Sequence, residues 1–188
     1  LKEFLSSGKF EVERLHTKDE LCAWNTQGVK VIYRHSEEYP KQIIDLEDPP
    51  PFLFCKGNLS LLKNTRAIAV VGTRNNSPKG ALIATKTVEA FHNRKFVIVS
   101  GLALGIDTIA HKTALKFGAP TVAVLVDLSK ISPATNRNLA EQILQNDGLL
   151  VAENKPGTPT VAALFAKRDR IQSGLSTAVF AIETSKDG

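Results

Sequence analysis

Short apolar runs at Ala67–Val71, Phe96–Val99, Thr121–Val126, Leu149–Val151 and Val179–Ile182 restrict the fold of this chain more than any other feature. None shows strict alternation of apolar and polar residues, so each reads as a strand buried on both faces, as in a parallel sheet. Between them lie helical patterns at about Gly80–Asn93, Ile106–Phe117, Asn136–Gln145 and within Thr160–Ser173. Strand and helix in succession predict an α/β fold with a doubly wound, mostly parallel sheet. Ligands of such sheets bind outside the carboxyl edge of the strands. The residues directly after each run are therefore the ones to read for function.

The first sixty residues are less regular. Leu5, Phe10, Val12, Leu15, Leu21 and Trp24 fit no single helix cleanly, which predicts a short helical or mixed segment. Val31-Ile32-Tyr33 and Phe52-Leu53-Phe54-Cys55 read as extended pieces. Tyr39-Pro40 and Asp48-Pro49-Pro50-Pro51 punctuate the chain between them, because proline forbids a continuing helix. The expected division is an N-terminal helical and extended segment, residues 1–60, packed on a core domain, residues 61–188.

The 188 residues are 43% hydrophobic, enough for one domain with a real core. No run approaches the roughly 18 apolar residues of a membrane helix, and no secretory pattern opens the chain. Cys22 and Cys55 have no metal-ligand spacing and read as reduced thiols, which predicts a cytoplasmic protein without a metal. The chain opens on Leu1 and contains no Met, so flanking sequence is expected. A net charge of +5 leans toward a polyanionic partner.

After the strand ending at Val99 the sequence runs Ser100-Gly101-Leu102-Ala103-Leu104-Gly105-Ile106-Asp107 and turns helical. Backbone N–H groups and the positive end of a helix dipole then converge where a phosphate could sit. The earlier strand ends in Gly72-Thr73-Arg74, which brings a cation to the same edge, with Lys79 further along the loop. Neither glycine set has the G-x-G-x-x-G spacing, and no Walker A motif is present. Arg74 either pairs with a phosphate or bridges to a neighbouring loop.

Asp107 and His111 lie one helical turn apart. They read as an acid–base pair or half a metal site, or, as position favours, as a helix N-terminal carboxylate beside a packed histidine. Phe165, Lys167, Arg168 and Arg170 combine an aromatic with three cations. Such a cluster either stacks and holds a nucleobase strand or is a helix with a core Phe and solvated charges. Lys155 would extend a basic surface, and Glu183, ending the last run, should face the crevice.

Taken together these residues resemble the DNA-processing protein A (DprA, also Smf) family. Val71-Gly72-Thr73-Arg74 matches its V-G-(S/T)-R, and Ser100 through His111 matches S-G-x-A-x-G-I-D-x-x-A-H without a gap. Phe165 through Ser176 follows F-x-x-R-N-R-I-I-A-G-L-S with substitutions, and Tyr39-Pro40, Asp48-Pro49-Pro50 and Lys56-Gly57-Asn58 resemble the family's lead-in. The likeness covers roughly residues 28–188.

The resemblance implies a Rossmann-like domain that binds single-stranded DNA without catalysis or cofactor. It implies a recombination mediator that protects strands and loads a RecA-type recombinase, self-associates as a homodimer and has no membrane partner. By motif match Arg74, Phe165, Arg168 and Arg170 would lie in or near the DNA pocket. Gly72, Thr73, Ser100, Gly101, Leu102, Ala103 and Gly105 would line its phosphate side, with Lys155 nearby.

Departures are Asp169 where the family has Asn, Gln172-Ser173 in place of Ile-Ala, and Leu125 through Asn136, which lacks the family's Tyr. Members continue past the position of Gly188, so a truncated C-terminal end is expected. Two other functions stay open. One is a nucleotide-binding or nucleotide-hydrolysing enzyme or sensor related to phosphoribohydrolases, with Glu153, Asp107 and Glu183 as candidate acids or bases. The other is a divergent protein-interaction domain, which Asp169 favours.

Overall fold

The computed structural model describes residues 8–184, with side chains described from His16 onward. In chain order the elements are α1 (Gly8–Thr26), β1 (Val29–Tyr33), β2 (Phe52–Gly57), β3 (Ala67–Val71), α2 (Pro78–His92), β4 (Val97–Ser100), α3 (Ile106–Phe117), β5 (Thr121–Leu125), α4 (Arg137–Gln145), β6 (Leu149–Ala152), α5 (Ala162–Gly174) and β7 (Ala178–Ala181). One sheet holds the strands in the order β1-β2-β6-β5-β4-β3-β7. The five strands from β6 to β7 are parallel. β1 and β2 form an antiparallel pair that joins the sheet through β2 against β6.

The expected strands and helices are present, with ends moved by a residue or two; β4, for instance, is Val97–Ser100. Of the two alternatives for the N-terminal segment, helical or mixed, residues 8–26 form one helix. Trp24 meets the ring of Phe54 edge-on at 5.3 Å, while most of the neighbouring residues of α1 are exposed. A helix held at one end by an aromatic contact needs no continuous apolar stripe, so its spacing looks irregular. Leu5 lies outside the described residues, as do the side chains of Phe10, Val12 and Leu15.

Successive strand residues face opposite layers, which explains the unbroken apolar runs. Ile68, Val70 and Ile98 pack on Ala84 and Val88 of α2 and on Ile106, Ala110 and Ala114 of α3. Ala123, Leu125 and Leu150 meet Leu139, Ala140 and Ile143 of α4 on the same side. The other face carries Val97, Val99, Val122, Val124 and Val151 against Ile171, together with Tyr39, Ile43 and Leu53 from the lead-in. The Tyr39 hydroxyl donates to the Pro50 carbonyl at 2.6 Å, which fixes the proline run over this layer.

From β3 the chain steps through β4 and β5 to β6, then returns along α5 to place β7 at the other side of β3. The connections therefore reverse at β3, and a crevice opens at such a reversal. Cys55 is buried, which pushes its thiol up to about 12, and Cys22 is exposed. Among the described residues no helix is long and apolar enough to cross a membrane.

Candidate nucleic-acid interface

Two loops meet beyond the carboxyl edge of β3 and β4. The loop leaving β3 is tied down at Thr73, whose N–H donates to the Glu183 carbonyl at 2.7 Å and whose carbonyl accepts from Ile106 N–H at 3.2 Å. Ser77 caps α2 by accepting from Gly80 N–H at 3.0 Å. The Glu183 carboxylate in turn accepts from the Ser77 N–H at 2.9 Å and its hydroxyl at 3.2 Å. Glu183 thus holds the far end of the Arg74 loop. A Cβ on Gly72 would run into Ile106 and the Glu183 carbonyl, so only glycine lets these segments touch.

The turn after β4 is fastened from inside. The Ser100 hydroxyl donates to the Val70 carbonyl at 2.7 Å. Asp107, in the first turn of α3, accepts from the N–H of Gly101 at 3.1 Å and of Ala103 at 3.2 Å. Two amides expected to greet a phosphate are therefore taken by an internal carboxylate. Leu102 has φ 62°, with its side chain in the core. Asn136 Nδ2 donates to the Leu102 carbonyl and to Thr108 Oγ1, each at 2.8 Å. Gly105, at φ 74°, passes so close to the Thr73 carbonyl that a Cβ would collide with it. The turn is a rigid shelf, and its cradle is largely filled by the protein's own groups.

Asp107 and His111 belong to that shelf. Burial raises the Asp107 carboxyl above the usual range, opposed first by the Arg168 charge and then by the turn amides. His111 is fully buried, with Nδ1 2.8 Å from Thr121 Oγ1. Burial, and then the charge of Arg168, lower it to about 3, so its imidazole is neutral.

The cations of α5 are engaged. Arg168 is only 5% exposed; its Nη1 donates to the Gly101 carbonyl at 2.7 Å and also to the Val124 carbonyl, and its Nε to Asp169 Oδ1 at 2.7 Å. A Cβ on Gly101 would collide with this guanidinium, which explains the glycine. Arg170 forks onto the Glu153 carboxylate at 3.0 and 2.7 Å. Lys167 lies 3.5 Å from Asp48, and Lys155 lies 3.0 Å from Glu20. Lys155, Arg168 and Arg170 are thus each committed to an internal partner. Motif matching could not show this, because Asp48, Glu153 and Glu20 come from distant parts of the chain.

Arg74 and Phe165 behave differently. Arg74 is exposed and has no acidic partner among the described residues; its guanidinium sits over the Phe165 ring, 5.7 Å from the centroid. The pair stands between two clefts. A smaller one of about 100 Å³ is bounded by Arg74, Leu104, Ser132, Pro133 and Phe165. A larger one of about 280 Å³ has an apolar floor of Ala69, Val71 and Val179 and walls that include Arg74, Asp169, Gln172 and Ser173.

Two anchoring residues escaped the sequence reading. Asp127 lies two residues past β5 and accepts from Ser129 N–H at 2.8 Å and Gly157 N–H at 3.1 Å, bracing the loops beside Phe165. Its place just beyond a strand's carboxyl end was the available signal. Asn136, noted only as a motif match, pins the glycine turn. Among the described residues no group of three His, Cys, Asp or Glu side chains is placed to hold a metal.

Residues 30–188 match the family model described as DNA recombination-mediator protein A. Among relatives, the DNA processing protein DprA of Bacillus subtilis is 34% identical over 93% of this chain and 60% of its own length. That of Streptococcus pneumoniae is 42% identical over 77% of this chain and 51% of its own. Protein Smf of Escherichia coli is 36% identical over 98% and 48%. The chain therefore spans about half to three-fifths of these curated relatives.

Among solved structures, DprA from Streptococcus pneumoniae superposes with a TM-score of 0.79 at 35% identity, covering 90% of this chain and 58% of that one. DNA processing protein A from Helicobacter pylori, described for its single-stranded DNA binding mode, superposes at 0.76 with 28% identity, covering 85% and 71%. Motifs, sheet order and relatives converge on one assignment: the chain belongs to the DNA recombination-mediator protein A (DprA/Smf) family.

Proposed function

We propose that this chain binds single-stranded DNA along the crevice at β3 and acts as a recombination mediator. In that role it shields strands and passes them to a RecA-type recombinase, as a homodimer in the cytoplasm. The observation that carries the reading is Arg74, unpaired by any acid among the described residues and lying over the Phe165 ring. A phosphate fits the guanidinium, and a base fits the exposed side of the aromatic. The Helicobacter pylori relative described for single-stranded DNA binding shares the fold and supports the same substrate. In this reading Gly72, Thr73 and the turn from Ser100 to Gly105 shape the shelf beneath the strand, Arg168 ties that shelf to α5, and Lys155 and Arg170 pair with Glu20 and Glu153 beside it.

A nucleotide-hydrolysing enzyme would need a positioned acid or base. Asp107 accepts two turn amides, Glu153 pairs with Arg170, and Glu183 accepts from Ser77, so each of these carboxylates already serves the scaffold.

Fluorescence anisotropy with a labelled oligothymidylate at two salt concentrations tests the proposal. Each phosphate contact to a single strand contributes a logarithmic salt slope of about 0.7. With so many cations paired internally, the slope should be shallow. Arg74→Ala should weaken binding about tenfold or more and flatten the slope further. Phe165→Ala should cost about 1–3 kcal/mol through lost stacking. Equal affinity of Arg74→Ala and the parent at every salt concentration would overturn the assignment.

A further inference from the structure

The larger cleft is unlike an ordinary phosphate groove, because a fixed carboxylate stands in its wall. Asp169 is 62% exposed at the side chain, yet its Oδ1 is locked by two bonds of 2.7 Å, from Arg168 Nε and from Gln172 Nε2. Both of those partners are buried, at 5% and 3% exposure. Asp169 Oδ2 has no hydrogen-bond partner among the described residues and remains an acceptor held at a set angle. Gln172 lines the same cleft, and its buried Oε1 also has no partner. Ser173, exposed beside them, can accept as well. The wall therefore holds one fixed open acceptor, Asp169 Oδ2, on a carboxylate whose charge is paired with Arg168 of the same lining, while the floor of Ala69, Val71 and Val179 is apolar.

Arg74 borders both clefts. The smaller cleft has Arg74 and Phe165 and no carboxylate in its lining. The two clefts thus divide the parts of a nucleotide: anion on the Arg74–Phe165 side, uncharged ring on the Asp169 side. A flat heterocycle suits an apolar floor, and a volume of about 280 Å³ suits one ring system rather than a stacked strand. A carboxylate accepts from amino and ring N–H groups at a base edge. Guanine offers two adjacent donors, N1–H and the exocyclic amine, which a single open carboxylate oxygen can accept together. Thymine presents a single N–H between two carbonyls, which the carboxylate repels.

Resting on the single-stranded DNA reading above, we infer that the Asp169–Gln172 wall makes this cleft a base-selecting subsite that prefers guanine and disfavours thymine. Selectivity of this kind belongs to this chain through Asp169 and Gln172, two of the positions at which it departs from the R-N-R-I-I-A-G pattern.

The experiment compares three oligonucleotides of equal length: oligothymidylate, one alternating thymidine with deoxyguanosine, and the same sequence with inosine in place of guanine. In the parent protein the guanine strand should bind about fivefold or more tightly than oligothymidylate, the lower end of what a paired base edge supplies. Inosine, lacking the exocyclic amine, should fall between. Asp169→Asn should collapse the guanine-to-thymine ratio to within about twofold and tighten oligothymidylate, since a fixed negative charge is removed. Equal binding of all three strands by the parent, or a guanine preference that Asp169→Asn leaves intact, overturns the inference while DNA binding stands. Failure to bind any of the three overturns the DNA-binding reading itself. The inosine series uses only the parent protein, so it decides the question even where Asp169→Asn does not fold.

Discussion

At Arg168 the carbonyls of Gly101 and Val124 and the exposed carboxylate of Asp169 close around one buried guanidinium, beside a buried acid, Asp107. Removing the cation would strand two carbonyls and leave Asp107 without its compensating charge. Arg168→Met should therefore destabilise the protein by about 3–5 kcal/mol in urea unfolding. A loss below about 1 kcal/mol would show that water replaces the guanidinium and that the shelf stands without it. Arg168 lines the crevice, in the motif the sequence singled out. The sequence could not place the guanidinium inward, because the acceptors come from two other strands' ends.

Helix α5 shows how one element serves several surfaces. Ile171 enters the core, Lys167 and Arg170 face Asp48 and Glu153, and Asp169 and Ser173 border the larger cleft. The Arg170–Glu153 fork joins the helix to the end of β6, and Asp48 brings the lead-in to the same point. Glu153 is nearly buried at its side chain, whereas Arg170 keeps partial solvent contact. Arg170→Ala should cost about 1–3 kcal/mol of unfolding free energy, the range for a charge-assisted pair that water can partly replace. An unchanged urea midpoint would make the fork incidental.

Legibility differs from helix to helix for physical reasons. α3 was read to the residue, since Gly105 at φ 74° and Gly118 at φ 68° bracket it with conformations that glycine adopts freely. α1 was not, because its residues from His16 onward are mostly exposed and no apolar stripe marks its sequence.

Across the whole molecule, the crevice depends on layers packed tightly enough to hold a neutral histidine. His111 is lowered to about 3 in the fold, against an ordinary value near 6.5. Below that ordinary value the unfolded chain takes up a proton that the native protein refuses. Stability is therefore whole at neutral pH and falls as the pH drops from about 6.5 toward 3, by about 1.4 kcal/mol per pH unit. Urea unfolding at pH 7 and pH 5 should differ by about 2 kcal/mol, and His111→Asn should shrink that difference even if it is less stable throughout. Equal pH dependence in parent and variant would mean that His111 titrates normally.

The lead-in and the core share one sheet through β2 and β6 and one packed layer through Tyr39, Ile43 and Leu53, so the crevice and its bracing belong to the same body. Local sequence determined the alternation of strand and helix, the carboxyl edge as the place to look, and the glycines at Gly72, Gly101 and Gly105. Periodicity and backbone freedom are properties of neighbouring residues. Tertiary structure decided which charges are free. Electrostatic pairing is settled by whichever groups the fold brings within a few ångströms, and here it consumed Lys155, Arg168 and Arg170 and left Arg74 open over Phe165.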